Sequence, residues 1–490
     1  MTAGPADGPL VLLRELLDAT PRACDYAEAR YVARASESVR VRNGLVEAVD
    51  TGVSEGVGVR VRADGRWGFA ATRDVTRAGI EAALAQALLV ARAGPRSADA
   101  AAHALADAPA PAAGHWASPC VTDPLTVPVE DKLALLLGAE AALRSDPRIA
   151  RGSAETHAVV QDWALATTDG AACTQRRTEC GAGLQALAID GDVTQTRSYP
   201  SAHGGDIALA GWEHVLALDL AGAAGQVRDE ALELLSAPPC PAGRSTVILG
   251  GEQMALQIHE SIGHALELDR ILLGEAAYAG ASWVGATDIG ALRYGSDELT
   301  VTADATIPGA LGSYGWDDEG VDAVRATLIE DGVLRATLSD RTSAGALGLP
   351  VSGGCARADG FARQPIVRMT NVSIEPGSAG TLDDLIAATD DGLLLETNRS
   401  WSIDDRRLHF QFGCETAREI RNGKLGRLLR DPSYAGITPA FWGSLDAVCS
   451  APAWRVWGVM NCGKGEPGQV MPVGHGTAPA RFRDVEVGVA

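Results

Sequence analysis

The residues best suited to chemistry stand together at 257–266, which read Gln-Ile-His-Glu-Ser-Ile-Gly-His-Ala-Leu. His259 and His264, with Glu260 directly after the first, form an HExxxH pattern, one residue longer than the common HExxH zinc helix. Two imidazoles converging on Zn2+, with a carboxylate beside the metal's open position, would make a water-activating centre in which Glu260 is the general base. The spacing is the obstacle. On a regular α-helix positions i and i+4 lie about 40° apart, whereas i and i+5 lie about 140° apart. A π-type widening of one turn restores convergence, and Gly263, just before the second histidine, is where a permissive backbone would help it. Without that distortion the pair is a coincidence on a half-buried helix.

A catalytic zinc needs a third protein ligand and an open fourth position. Glu267 and Asp269 follow the motif closely, and Cys462 is the distant alternative, in the run Asn461-Cys462-Gly463-Lys464-Gly465. A thiolate beside Lys464, among backbone amides, would be acidified and would suit a soft-leaning metal. The other eight cysteines (Cys24, Cys120, Cys173, Cys180, Cys240, Cys355, Cys414 and Cys449) read as small buried hydrophobes. For oxyanion stabilisation the candidates are Tyr314, His409 and His475.

The elements that must carry these residues fall into three stretches. Residues 1–110 read as an α/β unit, with strand alternation at 31–41 and 57–61, turns at Asn43-Gly44 and Asp64-Gly65, and a helix over 75–93. The Ala/Pro-rich stretch 94–124 reads as an extended connection. A middle α/β unit, 111–240, has a helix over 129–144, strands at 155–166 and 173–188, and a helix over 213–235. From 241 to 490 the chain turns glycine-dense and strand-rich, with hairpin signals at Asp331-Gly332 and Asn422-Gly423 and one helix, 252–268, carrying the motif. The expected class is a multi-domain α+β protein.

Composition narrows the function. Among 490 residues, 63 acidic against 42 basic side chains leave a net charge of -21, a field that repels phosphate backbones and argues against nucleic acid. No apolar run is long enough to span a membrane. The N-terminus shows no signal-peptide pattern, and nine scattered cysteines make no disulfide framework, which together point to the cytoplasm. A strand- and glycine-rich catalytic stretch suits binding an extended polypeptide as an added strand, with little sequence preference.

Several segments, in order, resemble the TldD/PmbA (TldE) family, whose members are sometimes labelled modulators of DNA gyrase. They are EGVGVRVRADGRWGFAAT, HESIGHALELD, DDEG at Asp317 to Gly320, PIVRMTN at Pro365 to Asn371, and CGKGEPGQVMPVGHG, so the resemblance spans nearly the whole chain. It implies that His259, His264 and Cys462 bind zinc, with Cys462 preferred to Glu267, and that Glu260 is the base. Because the HExxxH motif is present, it implies the catalytic TldD type, pairing with a TldE/PmbA-type subunit or with itself around an internal cavity. It further implies hydrolysis of unfolded or short polypeptides and trimming of leader peptides from modified precursors. The run Val473-Gly474-His475-Gly476-Thr477 departs from relatives that carry serine before the histidine and cysteine after the glycine. The rival reading is a non-catalytic protein-binding modulator with a structural metal, although structural zinc sites are closed by four protein ligands.

Overall fold

A computed structural model describes residues 6–18, 24–94, 105–108, 111–202, 204–273, 280–465 and 468–488. Strand β1 (Tyr26–Arg42) turns at Asn43-Gly44 into β2 (Leu45–Ala63), which turns at Asp64-Gly65 into β3 (Arg66–Thr72). Both turns hold two consecutive residues at positive φ (50° and 76°, 50° and 74°), the type I′ geometry whose twist matches that of the strands. Next come β4 (Ala113–Ala117), β5 (Ile149–Thr167), β6 (Ala172–Asp190), β7 (Val193–Tyr199) and β8 (Asp206–Ala208).

All eight strands share one sheet of order β3-β2-β1-β5-β6-β4, with β7 and β8 also on β6. The first two stretches of the sequence are thus joined by the long β1–β5 ladder, from Glu28↔Thr167 to Arg42↔Ser153. Alternation sorts the faces of β1. Ala27, Ala29 and Tyr31 pack in one cluster with the helices Asp7–Asp18 and Arg77–Ala93, and Val39 and Val41 in another with Val129–Leu143 and Leu220–Ser236. Arg30 and Val32 point the other way, to residues beyond 310, and Glu28 on the same face meets Arg60, which reaches Glu319.

Two sequence expectations need correction here. The helix expected over 213–235 is broken into Trp212–Ala217 and Leu220–Ser236, because Asp219 takes a left-handed conformation (φ 46°) and caps the second helix through Gly222 N. The connection expected over 94–124 contains β4, which runs parallel to β6; its residues 95–104 and 109–110 lie outside the described residues.

The C-terminal stretch is built around a closed sheet. Asp391–Ile403 pairs with Gly243–Leu249, then Ala480–Val487, Ser433–Ile437 and His409–Arg421, and the last returns to Asp391–Ile403. Closure leaves these five strands no edge within the ring, and aromatic rings pack in its core, among them Phe410, Phe412, Tyr434, Phe441, Trp442 and Phe482. The hairpin turns at Asp331-Gly332 and Asn422-Gly423 are present, again with both residues at positive φ. The class is α+β, with the strand-rich domain at the C-terminal end.

Residues 317–319 of the DDEG segment hold the eight-stranded sheet to this domain. Asp317 accepts from the backbone N–H groups of Glu319, Val321 and Ala356, closing its own loop. Asp318 accepts from Trp163 Nε1 at 2.7 Å and faces Arg30. Glu319 accepts from Arg60 on β2 at 2.6 Å and from the backbone N–H of Arg341 at 2.7 Å. Arg60 pairs with Glu28 as well, and all three side chains are buried, so both ion pairs form where water screens them little.

Candidate metal centre

The motif helix begins as an ordinary α-helix, Gly251–Ile258, and then widens. Residues His259–Gly263 form a π turn in which the N–H of His264 reaches back to the carbonyl of His259, and His264–Leu266 tightens into a 3-10 turn. Buried polar groups hold the widened turn. The Ser261 hydroxyl donates to the Gln257 carbonyl, and the Ser261 carbonyl, displaced from the regular ladder, accepts from the Tyr294 hydroxyl. Trp442 Nε1 and Gln257 Nε2 both donate to Ser261 Oγ.

The role of Gly263 differs from the expectation. Its backbone is ordinary right-handed helix (φ -53°, ψ -60°), so no conformational freedom is used. A Cβ there would lie 2.0 Å from Met369 Sδ, within the PIVRMTN segment. The glycine is required by close packing of that segment on the π turn.

The widened turn brings the two imidazoles together, centroids 4.8 Å apart and nearly perpendicular. Cys462 arrives on the strand Arg455–Lys464, which pairs with Gln469–Thr477. The register slips between Val459↔Val473 and Cys462↔Met471, so Met460 and Asn461 stand opposite the single residue Pro472. Proline has no N–H for the ladder, and the resulting bulge re-aims the strand as it reaches the cysteine. Cys462 Sγ lies 3.5 Å from His264 Nε2, and ligand atoms of His259, His264 and Cys462 all fall within 4.8 Å of one another.

Hydrogen bonds settle which nitrogen of each ring is free. The Val372 carbonyl can only accept, so His475 Nδ1 carries the proton of their 2.7 Å bond. Burial, followed by the neighbouring His259, keeps His475 neutral by pushing its pKa well below the usual value. His475 Nε2 is therefore an acceptor, and takes the Nδ1–H of His259 at 2.8 Å. That leaves His259 Nε2 with its lone pair. On the second ring His264 Nδ1 donates to Glu267 Oε2 at 2.9 Å, leaving Nε2 on the side of Cys462. Burial lowers the pKa of His259 and of His264, which favours the uncharged form that a metal needs.

The thiol is acidified, though not by Lys464. Burial raises its pKa, but His264 and the Arg368 guanidinium outweigh that and bring it down to about 7. Arg368 also donates to the Cys462 carbonyl. The Lys464 ammonium turns away, to Asp269 at 2.7 Å and the Val367 carbonyl at 2.6 Å. Glu267 Oε2 is engaged by His264, by Arg270 Nε at 2.6 Å and by Lys464 at 3.3 Å. Those cations and His264 hold its carboxyl well below the usual range despite burial. It thus stands on the Nδ1 edge of the ring whose Nε2 meets Cys462.

A cavity of about 300 Å³ opens over these groups, lined by His259, Glu260, His264 and Cys462 together with Glu252, Asn398, Arg407 and the strand from Trp457 to Gly463. Ser201 and Ala202, from the middle stretch, form part of its wall. Glu260 Oε2 receives Arg407 Nη1 at 2.7 Å. None of the three oxyanion candidates lines it: Tyr314 is buried with its hydroxyl on the Gly354 carbonyl, His409 is exposed, and His475 stands behind His259. Sequence reasoning missed Arg407 altogether, and it gave His475 the wrong task. The glycines flanking His475 answer to close packing: a Cβ at 474 would meet Asn371 at 2.3 Å and one at 476 would meet Trp454 at 1.8 Å.

The donors fit a zinc ion on their own chemistry. Two neutral imidazoles and a thiol near pKa 7 make a His2Cys set, and a tetrahedral ion with bonds of roughly 2.0 to 2.3 Å holds such atoms about 3.5 Å apart. An α+β chain with this cluster on the wall of a cavity carries the donor set of a metal site. Comparison with known proteins gives the family. Residues 27–91, 122–236 and 242–489 match, respectively, domain 1, the central domain and the C-terminal domain of the PmbA/TldA metallopeptidases. The chain belongs to the PmbA/TldA metallopeptidase family. A metalloprotease of Methanocaldococcus jannaschii is 30% identical, covering 92% of this chain and 94% of its own. A metalloprotease TldD homolog of Haemophilus influenzae is 26% identical over 95% and 93%. Among solved structures, TldE from Thermococcus kodakarensis shares the fold with a TM-score of 0.73 at 17% identity, covering 98% of this chain and all (100%) of its own.

Proposed function

We propose that this chain is a zinc metallopeptidase in which His259, His264 and Cys462 hold the metal and Glu260 is the general base. The observation that carries the reading is the convergence of those three donors, within 4.8 Å, beside a glutamate on the wall of one cavity. Zinc held there would acidify a water molecule and polarise a peptide carbonyl. Glu260 then takes the proton of the attacking water and delivers it to the leaving amine. The His475 and Glu267 contacts orient the two rings, and the buried setting favours the unprotonated form of both imidazoles.

For substrates we propose unfolded or short polypeptides, including leader segments of modified peptide precursors. Cavity residues 459–463 belong to a strand that pairs only with Gln469–Thr477 among the described residues, which supports backbone pairing with an extended peptide. A TldE-type subunit is the proposed partner, with self-association as the alternative. Among the described residues no helix is long and apolar enough to cross a membrane, and the nine cysteines are unpaired, which supports a cytoplasmic setting.

The test is zinc content and cleavage of an unstructured peptide, measured with and without a co-expressed TldE-type partner. Wild type should bind about one zinc per chain and cleave. Glu260→Gln should keep the zinc and fall to a low residual rate of cleavage, and Cys462→Ala should lose both zinc and cleavage. Full cleavage by Glu260→Gln would defeat the mechanism.

A further inference from the structure

The peptidase reading leaves Arg407 without a task, although its guanidinium lines the metal cavity and meets Glu260 Oε2 at 2.7 Å. We propose that Arg407 is a positioning residue for Glu260. It holds one carboxylate oxygen so that the other stays turned to the attacking water. This inference rests on the assignment of Glu260 as base.

Two independent features of the fold support it. The first is the backbone that carries Arg407. It lies between the barrel strands Asp391–Ile403 and His409–Arg421 at φ +62°, a left-handed conformation that side chains longer than asparagine seldom adopt. Glycine would satisfy that turn at lower cost, and strained positions of this kind concentrate at functional sites.

The second is how firmly the turn is held. The Asp404 carboxylate accepts the backbone N–H groups of Arg406, Leu408 and His409. Trp283 N donates to the Arg406 carbonyl at 2.8 Å, and Thr438 Oγ1 to the Arg407 carbonyl at 2.8 Å. Both supports come from distant parts of the chain. A glutamate side chain has three rotatable bonds, and its placement is worth most when the group that fixes it is itself fixed.

The decisive variants are Arg407→Gly, Arg407→Lys and their combinations with Glu260→Gln. Arg407→Gly removes the guanidinium and relaxes the turn, so loss of function cannot be put down to strain. With a fluorogenic unstructured peptide, kcat should fall on the order of 10- to 100-fold with KM nearly constant, and Arg407→Lys should restore part of it. In the Glu260→Gln background, Arg407→Gly should cost nothing further, because the two act as one unit.

A readout that needs no turnover is the affinity of the zinc-loaded protein for acetohydroxamate, whose proton a correctly placed Glu260 accepts. It should weaken about tenfold in Arg407→Gly while zinc content stays the same. A rise in KM at constant kcat, an additive loss on Glu260→Gln, or unchanged hydroxamate affinity would each overturn the assignment. If wild type loads zinc and binds hydroxamate but cleaves no peptide, the peptidase reading fails alone, and the hydroxamate comparison still decides the role of Arg407.

Discussion

At the residue scale, the centre depends on side chains that touch no substrate. His475 fixes the tautomer of His259 through a chain that ends on the Val372 carbonyl. Replacing it with alanine removes the acceptor and frees the His259 ring to rotate. Zinc affinity should fall about 10- to 100-fold, as for other outer-shell partners of a metal-bound imidazole, with the circular dichroism spectrum unchanged. Competition against a chromophoric chelator measures it. The same titration run against pH tests the thiol. Metal displaces the Cys462 proton, so affinity should be level above about pH 7 and fall up to tenfold per unit below it. His259 and His264, lowered by burial, enter only at more acid pH and steepen the same trend. A pH-independent affinity down to pH 6 would remove Cys462 from the ligand set. The histidine pair and the glutamate could be read from local spacing. His475 in its supporting role and Arg407 could not, because they reach the motif from 216 and 147 residues away, and no periodicity encodes such contacts.

At the element scale, the π turn was legible because an angular argument demanded it: rings five residues apart cannot converge on a regular helix. What the sequence did not reveal is how the distortion is secured. Ser261, Tyr294 and Trp442 supply hydrogen bonds from three separate segments. Gly263 is needed for the approach of Met369, a long-range packing fact that is invisible locally. A consequence follows for substitution. Alanine should raise helix propensity at 263 yet destabilise the protein, by about 1 to 3 kcal/mol, because its Cβ overlaps a fully buried sulfur. Removing the obstacle in the double variant Gly263→Ala/Met369→Ala should cost less than the sum of the two singles. Urea denaturation of the four proteins gives the coupling. Additive losses would return Gly263 to a purely conformational role. The broken helix at Asp219 shows the same limit, since its apolar pattern runs on through the residue that interrupts it.

At the scale of the whole molecule, the cavity wall is shared. Ser201 and Ala202 come from the middle stretch, whereas the metal donors come from the C-terminal one, so the open position is fully walled only when the two pieces are docked. Docking runs through the face of the eight-stranded sheet opposite its helices, where Arg60, Glu28 and Glu319 form a buried ionic group and Arg341 N closes on Glu319. The DDEG segment, which the sequence marks only through the family resemblance, serves as a clamp in the fold. Glu319→Gln keeps the volume, weakens the charge-assisted bond and leaves Arg60 with Glu28 alone. Stability should drop by about 2 kcal/mol, read as a lower urea midpoint. The donors and their supporting partners all lie within the C-terminal domain, so zinc per folded chain should not change. The effect on turnover should appear as a higher KM for an unstructured peptide with little change in kcat, since the loosened wall contributes Ser201 and Ala202 rather than Glu260. A fall in kcat at constant KM would mean instead that docking reaches the base, and that the clamp and the metal centre are coupled through the sheet.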